Sequence, residues 1–202
     1  MPNRIAEEIA PYKSSESALL TKHLNKIEAG DLLLLDRGYS SIALMFSILA
    51  QGADFCIRMK EDWWISVKEF MESGEKESIV TYTLPKKDRK ILDNDPQRPA
   101  QITVRLVCVE LETGEKEVLC TSLTDLEKYK QEDFAALYHY RWGIEEGYKL
   151  FKARIEVENF SGKTAKAVKQ DFYAKIFMMS LCAVLAFPYT TVHGKSKRFN
   201  YL

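Results

Sequence analysis

The 202-residue sequence predicts an α/β fold, and three features carry that expectation. The run DLLLLD at 31–36 places four leucines together with no polar alternation, the pattern of a strand covered on both faces. The following SSIALMFSILAQGA (40–53) is apolar nearly all round and leads into a second strand-like run, DFCIRMK at 54–60. Together they form a βαβ unit, whose crossover is expected to be right-handed. Three β-type runs and two helical stretches come after it.

Before the first strand, residues 14–29 read as a helix. Ser14 or Ser15 can cap it, Leu19, Leu20, His23, Leu24 and Ile27 recur at helical spacing, and Gly30 ends it. Gly52 likewise closes the buried crossover helix. The character changes after Asp62. EKESIVTYTLP (75–85), AQITVRLVCVELE (100–112) and EKEVLCTSL (115–123) are rich in Val, Ile and Thr, and ETGEK (112–116) joins the last two as a hairpin. A polar loop with two prolines, 86–100, separates the first two runs. Long helices are expected at about 130–154 and 163–187, with Pro188 closing the second. The sequence has neither internal repeats nor low-complexity tracts.

With 46% hydrophobic and 11% aromatic residues the chain can bury a real core, which excludes wholesale disorder. Net charge is zero, but its distribution is uneven: Lys149 to Leu202 holds ten Lys/Arg against three Asp/Glu. A basic C-terminal third suits an acidic partner such as DNA; a solvated basic face gives the same count. Cys56, Cys108, Cys120 and Cys182 are scattered in apolar surroundings without metal-binding spacing, so they read as reduced thiols. No signal peptide is evident, and the longest apolar run, IFMMSLCAVLAF (176–187), is too short to span a bilayer. These features predict a soluble cytoplasmic protein.

The most informative stretch is YHYRWGIEEGYKLFK, 138–152. At about 100° per residue, Tyr138, Arg141, Glu145 and Lys152 fall within a sector of roughly 60° on one helix. They border an apolar stripe of Leu137, Ile144, Tyr148 and Phe151. Such a polar row can line a cleft beside the core, or it can be boundary residues making i, i+4 pairs such as Arg141–Glu145. Asp36 has a similar ambiguity. It ends the leucine strand, where open α/β sheets bind ligands, so it can hold a cation; it can also simply start a turn or cap the next helix.

Taken together, Asp36 in LLLLDRGY and the row Tyr138, Arg141, Glu145, Lys152 resemble the DDE-type transposases of bacterial insertion sequences. The subgroup carries the signature Y-x2-R-x3-E-x6-K, and every spacing matches. FCIRMK, LCTSL and RWGIEEGYKLFK extend the similarity over about Ser14 to Phe187. The resemblance implies a ribonuclease-H-like core with a β-rich insertion. Residues 1–62 would be the core part with the second acidic residue, 63–124 the insertion, 125–190 the helical part with the catalytic Glu, and 191–202 a basic tail. It also implies Asp36 and Glu145 as catalytic metal ligands for Mg2+ or Mn2+, hard cations suited to carboxylate oxygen. DNA of the transposon ends would be the partner, with Tyr138, Arg141 and Lys152 contacting phosphates; Trp142, next to Arg141, can pack on a sugar or base or serve in the core. A homodimer, or association with full-length transposase, would be the assembly.

Such transposases need a first Asp on an earlier strand. Asp31 opens the same strand as Asp36 and cannot supply it. The expectation is therefore a fragment of a transposase catalytic core, incomplete for DNA cleavage and strand transfer. A non-catalytic DNA-binding or regulatory remnant is the alternative, and an unrelated metal-dependent hydrolase a third reading.

Overall fold

Leu32–Leu35 and Asp54–Arg58 form strands β1 and β2, paired in parallel with Leu32 opposite Asp54 and Leu35 opposite Ile57. The computed structural model describes residues 16–60, 64–92, 100–111, 114–141, 149, 153, 156 and 159–192. Helix α1 (Glu16–Lys22) precedes the strands and is shorter than the 14–29 expected, giving way to a 3-10 turn at Leu24–Lys26. Helix α2 (Ile42–Ala50) is the crossover. Ser41 caps it by accepting a hydrogen bond from the Leu44 amide, and Leu44, Met45, Phe46 and Ile48 are buried. Gly52 ends it at φ 74°, a left-handed conformation that favours glycine, and a Cβ there would sit tightly, 3.1 Å from that of Ala29.

Helix α3 (Ile65–Ser73) occupies a stretch that the sequence pattern assigns to the β-rich segment. Its buried Val67 and Phe70 pack into the main core, and Trp64 just before it meets Tyr82 edge-on, with ring centroids 4.7 Å apart. The three β-type runs become β3 (Glu77–Thr83), β4 (Gln101–Glu110) and β5 (Lys116–Thr121). Gly114, at φ 83°, turns the β4–β5 hairpin, which the Leu111 amide closes onto the Glu115 carbonyl at 2.8 Å.

These strands continue the sheet of β1 and β2, in the order β1-β2-β5-β4-β3. β5 runs antiparallel to β2, with Cys56 opposite Thr121 and Arg58 opposite Leu119. The chain is thus mixed α/β, a parallel pair extended by an antiparallel meander. Hydroxyls fasten this junction: Thr121 donates to the Phe55 carbonyl at 2.7 Å, and Ser122 bridges Asp54 and the Phe55 amide.

Each sheet face carries a core. One gathers Leu35, Ile57, Val104, Leu106 and Val118 with α2 and α3. The other gathers Cys56, Val107, Val109 and Leu119 with Phe134 and Tyr138 of helix α4 (Asp133–His139). The leucines of β1 accordingly point into both cores, as the unbroken run predicts. Their burial is incomplete, however, because β1 is at the edge of the sheet among the described residues: Leu32 is 37% exposed.

The chain divides into two compact units, Met1–Gly143 and Ile144–Leu202. In the second, helix α5 spans Ala165–Val192, with Thr164 accepting from the Ala167 amide at its start. Lys175 ties the preceding turn to this helix by donating to the carbonyls of Glu156 and Asn159 at 2.7 and 2.5 Å. Pro188 does not end the helix as expected, although its missing N–H removes one bond of the ladder. Among the described residues no helix is long and apolar enough to cross a membrane.

Candidate active site around Asp36

Asp36 lies immediately beyond the carboxyl end of β1, where the chain turns through a short 3-10 segment at Arg37–Tyr39. Its Oδ1 accepts two hydrogen bonds, from the Arg37 amide at 2.7 Å and from Arg58 Nε at 3.0 Å, and Arg58 Nη2 lies 2.8 Å away in an ion pair with the same oxygen. The cap reading of Asp36 is therefore realised through one oxygen alone. Among the described residues no hydrogen bond reaches Oδ2, and the side chain is 36% exposed.

Burial by itself would raise the Asp36 pKa. The Arg37 amide and the charge and hydrogen bonds of Arg58 outweigh it, with a smaller contribution from Arg141, and the carboxyl is held below its ordinary value. A half-exposed, fully ionised carboxylate with one oxygen anchored is the donor a hard divalent cation takes. Among the described residues no group of three or more His, Cys, Asp or Glu is placed to hold a metal ion.

Arg58 is itself gripped from behind. It is the last residue of β2, and its Nη1 donates to Glu117 Oε1 on β5 at 2.6 Å. Neither residue stands out as a site in the sequence. The available signal is an arginine set among Phe55, Cys56, Ile57 and Met59, a charge inside an apolar strand that needs a partner. That partner lies 59 positions away.

Tyr138, on α4, is 3% exposed and packs in the second core. Its hydroxyl donates to the Leu35 carbonyl at 3.1 Å, next door to Asp36, and burial raises its pKa. The residue expected to contact phosphate thus ties α4 to the end of β1. Removing this bond while keeping the ring, as in Tyr138→Phe, should cost about 1 kcal/mol of stability in urea unfolding.

Arg141 follows in the turn after α4, buried to 7% exposure, with its guanidinium carbon 5.2 Å from the Tyr138 ring centroid. The structure therefore brings Asp36, Tyr138 and Arg141 into one neighbourhood, since Arg141 adds to the field that keeps Asp36 ionised. Trp142, Glu145 and Lys152 lie outside the described residues.

The chain belongs to the Transposase DDE domain family, which it matches over residues 5–182. It is 24% identical over 180 residues to the transposase InsG for insertion sequence element IS4 of Escherichia coli (strain K12). That match covers 87% of this chain and 39% of the relative, so the chain spans well under half of that protein's length.

Proposed function

We propose that this chain carries part of the catalytic core of a DDE transposase with a ribonuclease-H-like arrangement, acting in metal-dependent DNA cleavage and strand transfer. The observation that carries this reading is the Asp36 carboxylate at the end of β1, anchored through Oδ1, with no hydrogen bond to Oδ2 among the described residues. Family membership supports it, and so does the spacing of Tyr138, Arg141, Glu145 and Lys152.

In this reading Asp36 and Glu145 are the two acidic ligands this chain contributes, and the cation is magnesium or manganese. The chemistry supplied there is activation of an attacking water or 3′-hydroxyl and stabilisation of the leaving oxygen. Arg141 provides positive charge beside Asp36, where a scissile phosphate would lie, and Lys152 adds a point charge to the DNA backbone. Trp142 packs against sugar or base. Tyr138 acts from behind, fixing α4 against the strand that ends in Asp36.

Manganese binding to the 202-residue chain tests this directly. Titration followed by the electron paramagnetic resonance of free Mn2+ should show Asp36→Asn and Glu145→Gln each weakening binding by at least about tenfold, because ligand charge sets affinity at such sites. The double variant should be little worse than the weaker single one. If both single variants bind Mn2+ like the wild type, the two carboxylates do not share a metal site and the reading fails.

A further inference from the structure

Asp36 Oδ1 meets a single guanidinium at two points, a hydrogen bond from Nε and an ion-pair contact with Nη2, and that guanidinium has a second carboxylate behind it. The side chains of Arg58 and Glu117 are only 18% and 17% exposed, so both are substantially withdrawn from water. Glu117 Oε2 is buried without a hydrogen-bond partner among the described residues, a costly arrangement for a group that merely decorates a strand.

Joining β2 to β5 does not require this pair. The two strands are already held by their ladder and by the Thr121 and Ser122 hydroxyls on the Phe55 carbonyl and amide. What the pair adds lies at the other end, on Asp36. Arginine is suited to it: one planar group places Nε and Nη2 on Asp36 while Nη1 stays on Glu117. Lysine offers one compact charge and cannot hold both carboxylates in this geometry.

We propose that Arg58 is the positioning residue of Asp36, and that Glu117 fixes Arg58, so the three side chains form one relay that presents Oδ2 outward. The inference rests on the metal role proposed for Asp36. Arg58 does not touch the cation; it sets the carboxylate that does, as outer partners of metal ligands commonly do.

The test separates geometry from charge. Arg58→Lys keeps the charge and loses the two-point grip, and should weaken Mn2+ binding by about tenfold, the lower end of the effect of losing such a partner. Glu117→Gln, with Arg58 intact, should shift affinity in the same direction. The urea midpoint of both variants should fall only modestly, and the loss of affinity should not track that fall. Asp36→Asn serves as the reference for complete loss. Wild-type affinity in both Arg58→Lys and Glu117→Gln, with Asp36→Asn inactive in binding, overturns the positioning role and leaves the metal role standing. Wild-type affinity in Asp36→Asn instead rejects the metal role on which the inference rests. Affinity lost only in step with the urea midpoint assigns the relay to folding and overturns the proposal as well.

Discussion

Replacing Glu77 by Ala is expected to destabilise the first unit by about 3–5 kcal/mol, the cost of leaving a buried charge without its partner. Glu77 on β3 pairs with Arg105 on β4, which is 1% exposed. Arg105 also donates to the Tyr129 carbonyl at 2.7 Å, and its guanidinium carbon lies 5.0 Å from the ring centroid of Phe134. Its Nε has no hydrogen-bond partner among the described residues, so little remains to compensate the cation once the carboxylate is gone. The penalty should be relieved by a second change. Arg105→Met in the Glu77→Ala background removes the stranded charge and fills much of the same volume, and should recover more than half of the lost stability. Urea unfolding of the two single variants and the double reads the cycle. Additive losses, with no recovery in the double variant, would show that the pair is not the source of the cost.

This latch reaches the candidate site through the fold. Arg105 lies beneath Phe134, Phe134 and Tyr138 stand on the same helix α4, and Tyr138 bonds the Leu35 carbonyl beside Asp36. An ion pair between the buried Arg105 and the partly exposed Glu77, on the antiparallel half of the sheet, thereby helps hold the helix that backs the acidic residue on the parallel half.

Much of this architecture is legible from local pattern. The leucine run, the apolar crossover and the second strand mark β1, α2 and β2 with their parallel pairing, because each signal is contained in a few consecutive residues. The hairpin at ETGEK is legible for the same reason, its Gly114 marking the turn. Helix α3 is not. It is nine residues long, begins after two tryptophans and contains Ile65 and Val67, so β-type composition masks the spacing of Val67 and Phe70 and the left-handed Gly74 that ends it.

The sheet order is beyond sequence pattern altogether. Nothing local says that β5 rather than β3 lies beside β2, because the choice depends on which apolar faces pack together over long separations. The same holds at the site. Asp36 and Arg141 are readable from the family-like spacing, whereas Arg58 and Glu117 become visible only once β2 and β5 are neighbours. Tyr138 is found by its spacing, and its burial emerges only from the packing of α4.

Neutralising Lys163, Lys166 and Lys169 to Gln is expected to weaken DNA binding on the order of 100-fold at about 0.1 M salt. All three are exposed around the start of α5, and among the described residues none forms an ion pair. Lys175, further along, is committed to the carbonyls of Glu156 and Asn159 and is expected to contribute less. The positive end of the helix dipole adds to the field of the three lysines. Each neutralised phosphate contributes a salt slope of about 0.9, so three contacts together lower the slope by about 2.7 when lost. Over the decade from about 1 M to 0.1 M salt this amounts to more than two orders of magnitude in affinity. Lys152→Ala removes a single proposed contact and should shift the slope by only about 0.9. The loss should be uniform across DNA sequences, because backbone contacts carry no base information. Fluorescence anisotropy on an arbitrary duplex, repeated over a salt series, gives both affinity and slope. A triple variant with the wild-type slope would place the DNA elsewhere and reduce the basic C-terminal third to a solvated face.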